Sequence, residues 1–512
     1  MSMVSQLPFL LPACFLLAAI LIPLVGVWRS EAAYWIGLFA AGISAICALY
    51  GFVTVPSDEL PLYYFFGGWR PPVGIEFVYD GLSAFVVCVI NVVAFFAILY
   101  SKQIGQLEYS GKQVPFHALT MLMMFGFNGM VLTGDLFNLY VFLEVSSLSS
   151  YALLAIGERR APYAAFRYLI IGTLGGSLYL LGVGFLYTVS GTLNMRDMAD
   201  ILLQLDIAGN AAVQVALVLM VVGIGVKAAM FPVHGWLPDV YSHANSATSV
   251  LIPAIGTKVA AYILFRVLLF IFGAVSMEFT EPVLTVIGIL ASLGILYGSI
   301  MAIGQYDLKR MLAYSSISQI GYVLLGLSLA NPLGFAGALL HLLTHAIMKS
   351  CLFMFAGQLR LHEGHSDIRR FDGRLRERHP WMCVAFVIAA ISMIGLPPLA
   401  GFFSKWYLAL GTIENGNWWL LAVILISSLL NAVYFFRILE RLYLKPGTEA
   451  EPAVEGAHAP GSGGANGSAL LPNVPAVSRM LPTYVFALSL LVIGILNVWI
   501  IDTLLPVFPL KL

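Results

Sequence analysis

The chain is 512 residues long, 60% hydrophobic and only 10% charged, with a formal net charge of zero and a mean hydropathy of +0.91. Too few polar side chains are present to cover a water-soluble surface of that size. The composition is that of an all-α polytopic membrane protein whose solvent is the lipid bilayer, with no nucleic-acid partner.

Apolar stretches of about 18 residues or more number about fourteen, near residues 7–27, 33–54, 80–100, 116–134, 136–156, 164–189, 211–231, 247–273, 280–303, 309–330, 333–357, 381–411, 418–443 and 481–504. The first lacks a basic start and a small-residue cleavage site and is long enough to span, so it is read as a retained helix. Loops after the odd-numbered stretches hold "SKQIGQLEYSGKQ", "GERRAPYAAFR", "QYDLKR" and "QLRLHEGHSDIRRFDGRLRERHP", rich in Lys and Arg, whereas loops after the even-numbered ones are poor in both. The positive-inside rule then puts the odd-side loops in the cytoplasm and both termini on the outer face of an inner (plasma) membrane. The "HEGHSDIRR" cluster is read as a solvated charged loop.

The five cysteines, Cys14, Cys47, Cys88, Cys351 and Cys383, lie within or beside apolar stretches without CxxC spacing, and suggest neither disulfides nor a metal site. One segment reads as unstructured: residues 445 to 473, rich in Pro, Gly, Ala and Glu, predicted as a flexible cytoplasmic loop. "NGS" at 466–468 lies in it and is discarded as a glycosylation acceptor. "GDLFNLYVFLEVSSLSSY" (134–151) and "YDLKRMLAYSSISQIGY" (306–322) both open a span with Asp-Leu and carry a Ser-rich patch. Two later spans are interrupted, at "MFPVHGWLPD" and at "GLPPLAGFFSKW". Related bundles with broken helices at the transport path are a transporter pattern.

Few ionisable residues fall inside spans: Glu144, Lys227, Lys258, His341, His345, Lys349 and Lys405. An ionised side chain at the bilayer centre costs about 2.5–3.5 kcal/mol on insertion scales, so each is a candidate for transport. Lys227 is roughly 24 Å from the start of its span at 1.5 Å per residue, just before Pro232 and Pro238 interrupt the helix. Lys258 is mid-span, where snorkelling to the interface is difficult. Glu144 is the one mid-span carboxylate and needs a cation, for which Lys227 is the natural candidate. His341, His345 and Lys349 follow at four-residue spacing and line one helix face. A pair of histidines at this spacing also suits a metal, but Leu342 stands where HExxH has glutamate and no third ligand is recognisable, so a proton-carrying file is preferred. Lys405 follows the second break. In general, desolvation favours the neutral form of a lysine and a nearby carboxylate the charged form; a lysine between the two influences is suited to a relay. There is no flavin, iron–sulfur or nucleotide motif, so no cofactor is assigned to this chain.

Together, "GDLFNLYVFLE", "KAAMFPVHGWLPD", "HLLTHAIMKSCLF" and "GLPPLAGFFSKW" resemble the antiporter-like subunits shared by Mrp-type Na+/H+ antiporters, respiratory complex I and membrane-bound hydrogenases. "GGWRPPVGIEFVYDGLSAFVV" looks most like the D-type member of the Mrp antiporters. The resemblance implies fourteen helices, discontinuous seventh and twelfth helices, and two inverted five-helix repeats. The expected divisions are 1–110 (helices one to three), 111–275 (four to eight), 276–445 (nine to thirteen), a loop at 446–478 and a last helix in 479–512. Carried over residue by residue, it gives Glu144, Lys227, Lys258, Lys349 and Lys405 as the family's buried glutamate and lysines. It also implies partner subunits in a multi-subunit membrane complex, with protons and Na+ as the ions. It leaves two drivers open, cation exchange and electron transfer in partner subunits.

Overall fold

The computed structural model describes residues 4–55, 59–109, 111–157, 160–445 and 476–509. Most of the loop expected at 446–478, with the "NGS" tripeptide, lies outside the described residues.

The chain begins with α1 (Leu7–Gly26) and α2 (Ser30–Thr54), then a hairpin of β1 (Leu62–Phe65) and β2 (Glu76–Tyr79), too short to read from the sequence. Next come α3 (Gly81–Glu108), α4 (Gln113–Leu132), α5 (Leu136–Ala155), α6 (Ala161–Ser190) and the short α7 (Met195–Leu202). The first interrupted span is α8 (Ala211–Ala228) followed by α9 (Leu237–His243). Then follow α10 (Ser246–Val275), α11 (Met277–Ile303), α12 (Leu308–Ser328) and α13 (Pro332–Glu363). After α14 (Gly373–Arg378) the second interrupted span is α15 (Pro380–Ile394) with α16 (Ala400–Glu414), and the chain closes with α17 (Trp418–Tyr443), α18 (Ala476–Ile495) and α19 (Asn497–Leu504).

Among the described residues twelve single helices are long and apolar enough to cross a bilayer, and a pair bent by 71°, Met480–Ile495 with Asn497–Val507, is a thirteenth. The stretch expected to be the twelfth span is divided between α15 and α16, so neither piece reaches that length alone. The protein is a multi-pass membrane protein.

Helix starts follow side-chain caps. Asp135, Asn210, Asn245, Asp307 and Asn331 each accept a backbone N–H of the first turn of α5, α8, α10, α12 and α13, satisfying donors that have no partner within the helix. The loops sort into two sets. Those after even-numbered spans meet one another, as in the Phe77–Thr133 and Asp135–Asn194 backbone bridges and the bond from Asn415 to Leu329 O. Those after odd-numbered spans also meet one another, through Lys112 and Ile156 O, the Asp307–Asp367 bridge, and Arg441 and Arg369 O. This is the alternation that the charge pattern of the loops predicts.

The centre of the bundle is α10, α12 and α13, which are buried along nearly their whole length. The outer helices instead expose large apolar residues such as Phe39, Phe166, Ile300 and Leu429, a surface suited to lipid or to a partner's membrane helices. Helices α6 and α8 approach at their backbones: a Cβ on Gly175 would come within 2.9 Å of Gly223 O, the small-residue contact that replaces hydrophobic driving force inside a bilayer.

Candidate functional site

Both interrupted spans break at a residue with a left-handed backbone, immediately beside or facing a lysine. In the first, α8 ends at Ala228 and Ala229 has φ 56°, a conformation costing a non-glycine residue about 1–3 kcal/mol. Pro232 and Pro238 then keep the chain from resuming at once, and the indole N–H of Trp236 donates to Val226 O at 2.9 Å, closing one freed carbonyl. Lys227 sits in that last turn. In the second, Gly395 has φ 91°, Pro397 and Pro398 follow, and Lys405 on α16 lies over the gap, with its Nζ 3.4 Å from where a Gly395 Cβ would stand.

Lys227 is 7% exposed and donates to Ser147 Oγ at 2.7 Å and Tyr151 OH at 3.0 Å, both on α5. Glu144, one turn earlier on the same helix, is close enough to influence its charge but forms no ion pair with it, and Glu144 Oε1 has no hydrogen-bond partner. The two expected partners therefore interact through space. Room for them comes from α6. A Cβ at Gly176 would overlap Glu144 Oε1, and one at Gly172 would overlap the Tyr151 hydroxyl and lie 3.2 Å from Lys227 Nζ.

Beside Lys227 is a cavity of about 30 Å³, lined among others by Ser147, Ser150, Tyr241 and Thr257. The hydroxyls of Tyr241 and Thr257 lie near one another there, each free to bond a third group. A site of this polarity and size suits water. Thr257 precedes Lys258, which is fully buried and donates to Pro253 O at 2.5 Å.

Lys258 in turn is within electrostatic reach of His341, His345 and Lys349 on α13. The stripe expected from the four-residue spacing is present: the His341 and His345 rings are 6.1 Å apart and stacked, and all three residues are fully buried. His345 has no protein partner on either ring nitrogen, an arrangement that internal water relieves. Lys349 donates to Leu312 O at 2.7 Å and Ser315 Oγ at 2.5 Å on α12. At the other end His341 Nδ1 is 2.9 Å from Ser404 Oγ, next to Lys405. Lys405 donates to Met393 O and Ile394 O, both at 3.0 Å, and to Ser428 Oγ at 3.3 Å. The structure thus places Glu144 with Lys227, Lys258 with the histidine–lysine stripe, and Lys405 at the stripe's end.

The hydroxyl partners Ser147, Tyr151, Ser315 and Ser428, and one further lysine, do not stand out in the sequence. Lys309 stands at the start of α12, where a charge reads as interfacial, yet it is only 1% exposed. Its one sequence cue is the Ser-rich run that follows it.

Residues 133–431 match the family described as "NADH:quinone oxidoreductase/Mrp antiporter, TM". The chain belongs to that family. It is 46% identical over 446 residues to the N subunit of the NADH-quinone oxidoreductase of Desulforudis audaxviator, covering 86% of both chains. It is 35% identical over 373 residues to the D-type component of the Na(+)/H(+) antiporter of Alkalihalophilus pseudofirmus, covering 73% of this chain and 74% of that one. Among solved structures it superposes with TM-score 0.86 on a subunit of the archaeal membrane-bound sulfane sulfur reductase, at 29% identity over 98% of this chain and 97% of that one. With the Mrp complex from Dietzia sp. the TM-score is 0.85, at 27% identity over 99% of this chain and 97% of the other. This protein is therefore an antiporter-like membrane subunit of the Mrp and complex I family, and its structural neighbours are subunits of multi-subunit membrane complexes.

Proposed function

We propose that this chain is the proton-translocating subunit of a multi-subunit complex that exchanges a monovalent cation such as Na+ for protons across the inner (plasma) membrane, with both termini on the outer face. The relay consists of Glu144, Lys227, Lys258, His341, His345, Lys349 and Lys405. The observation that carries this reading is that four buried lysines, Lys227, Lys258, Lys349 and Lys405, rest only on hydroxyl and carbonyl oxygens and none is locked to a carboxylate. A carbonyl oxygen accepts a hydrogen bond from an ammonium or from a neutral amine, and a hydroxyl turns from acceptor to donor as the amine loses its proton. Such a lysine can exist in both states without a rebuilt site, whereas a buried ion pair resists losing either charge. Glu144, offset from Lys227, biases its charge without trapping it.

Protons enter one half-channel near Lys258, pass among Lys227, Lys258, the His345–Lys349 stripe and Lys405, and leave through the other half. The two half-channels correspond to inverted bundles in 111–275 and 276–445. The matching Asp135 and Asp307 caps, each paired with a distant loop residue, support that division.

A second reading, a proton-pumping subunit of a redox-driven complex, is favoured by the 46% identity to a quinone oxidoreductase subunit. The same residues would then carry protons outward while partner subunits transfer electrons. Inverted vesicles containing the whole complex separate the two. Collapse of an imposed pH gradient on adding Na+ or K+, with no electron donor, supports exchange. Proton uptake that requires a donor and ignores both cations supports the pump.

A further inference from the structure

On the face that carries the Lys- and Arg-rich loops lies a second lysine and carboxylate, outside the relay: Lys309, which is buried, and Glu108, which is half-buried. The Lys309 ammonium donates to Ala244 O at 3.2 Å, Ser249 Oγ at 3.4 Å and Ser246 Oγ at 3.5 Å. Ser246 donates its own hydroxyl to Glu108 Oε1 at 2.6 Å and its backbone N–H to Glu108 Oε2 at 2.5 Å. One serine hydroxyl therefore bridges the cation of α12 and the carboxylate at the end of α3. As a structural device this is expensive. A lysine at a helix start ordinarily extends into water, and here it is turned inward against the first turns of both α10 and α12, the ends where the helix dipole disfavours positive charge.

What lies on either side of Lys309 gives the arrangement a use. Its chain neighbours Asp307 and Arg310 line an open cavity of about 500 Å³, together with Arg160, Arg360 and His365; Lys309 itself stands behind that lining, with Asp307 and Arg360 near enough to influence its charge. Inside, Ser249 Oγ also donates to Tyr241 O at 3.3 Å, and Tyr241 lines the 30 Å³ cavity shared with Thr257 and Lys227. Residues 246, 249, 253 and 257 recur at helical spacing along one face of α10, so hydroxyl and carbonyl groups lead from Lys309 to Lys258.

We infer that Glu108, Ser246 and Lys309 form the port through which protons pass between the open cavity and the buried relay. In each passage the Lys309 ammonium gives a proton to an acceptor on the Lys227 side, and the neutral amine takes one from the open cavity. Glu108 offsets the charge, and Ser246 holds the two together. The inference rests on the relay reading given above.

The test uses the full complex in inverted vesicles, with initial proton flux as the readout and complex abundance measured alongside. Lys309→Met is expected to lower the rate about tenfold or more in an assembled complex. Adding Glu108→Gln to it should cost little more, because both act on one step. Ser246→Ala keeps the backbone N–H to Glu108 and is expected to slow flux several-fold and displace its pH profile; it serves if Lys309→Met does not assemble. Lys227→Ala is measured in the same vesicles. Wild-type flux in assembled Lys309→Met or Ser246→Ala, beside lost flux in Lys227→Ala, overturns the port and leaves the relay. Wild-type flux in Lys227→Ala as well overturns the relay, and the port with it.

Discussion

Lys405 and Ile394 belong to the two halves of one interrupted helix, and the lysine ammonium donates to the isoleucine carbonyl at 3.0 Å across the gap. The Met393 carbonyl receives a second bond of the same length. Both carbonyls lie at the end of α15, where the helix offers them no further N–H. A single side chain therefore closes a helix end and supplies a protonatable group at membrane depth, and two substitutions separate those tasks. Lys405→Met should lower the stability of the complex by about 1–3 kcal/mol per unpaired carbonyl and reduce proton flux by about 10²-fold. Lys405→Arg keeps donors within reach of the carbonyls but cannot release a proton. It should retain most of the thermal stability and still lose the flux.

Glu144 depends on the bare surface of α6. Gly176→Ala places a methyl where the carboxylate oxygen now lies, and is expected to displace Glu144, cost about 1–3 kcal/mol and slow flux. Gly184, on the same helix, has open space where a Cβ would be. Gly184→Ala should be neutral or stabilise by about 0.5–1 kcal/mol. Comparing melting and flux for the two variants checks that the niche, rather than helical glycine in general, matters.

Tyr322 occupies the step between the histidines and the second break. Its ring centroid is 4.9 Å from Lys405 Nζ and 5.2 Å from that of His341, and its hydroxyl donates to Ser427 Oγ at 2.9 Å. Cation–π attraction of about 0.5–2 kcal/mol holds the ammonium at the end of the stripe. Tyr322→Phe preserves the ring face and should keep flux within a few-fold, whereas Tyr322→Leu should lose most of it. Equal loss in both assembled variants would assign the role to the hydroxyl instead.

The opposite face is fastened by Arg266 of α10, which holds Asp80 through two nitrogens at 2.5 and 2.8 Å and also bonds the Tyr262 hydroxyl. Burial favours the protonated Asp80 carboxyl, but the guanidinium and the Ser83 donors outweigh it and hold the group below the usual carboxylate range. A lowered carboxylate contributes stability that is complete above the ordinary value near 3.9 and is lost as pH falls through the folded-state value. Melting temperature should therefore fall with pH below about 4, and this part of the fall should be absent in Asp80→Asn. Arg266→Met, which leaves a half-buried carboxylate without its guanidinium, should cost about 1–3 kcal/mol.

Much of the fold is legible because charge is costly in a bilayer. Fourteen apolar runs separated by alternately basic loops leave few other topologies, and the proline pairs at 232/238 and 397/398 mark where two spans must break. Lys227, Lys258, Lys349 and Lys405 stand out for the same reason. Their partners do not. Ser147, Tyr151, Ser315 and Ser428 are ordinary residues in apolar helices, and which of them faces a lysine is set by helix packing. Lys309 is hidden by position, since a lysine at a span's end turns outward or inward according to neighbours far off in sequence, here Ser246 and Glu108. The offset between Glu144 and Lys227 depends on glycines of a third helix, α6.

Proton movement through Lys227 under the influence of Glu144 is the step on which the relay depends. Cation-dependent or donor-dependent proton flux in inverted vesicles carrying the whole complex with Lys227→Ala or Glu144→Ala measures that step. Both variants are expected to assemble, with flux falling about 10²-fold in the first and substantially in the second. Wild-type flux in both, at normal complex abundance, would contradict the relay.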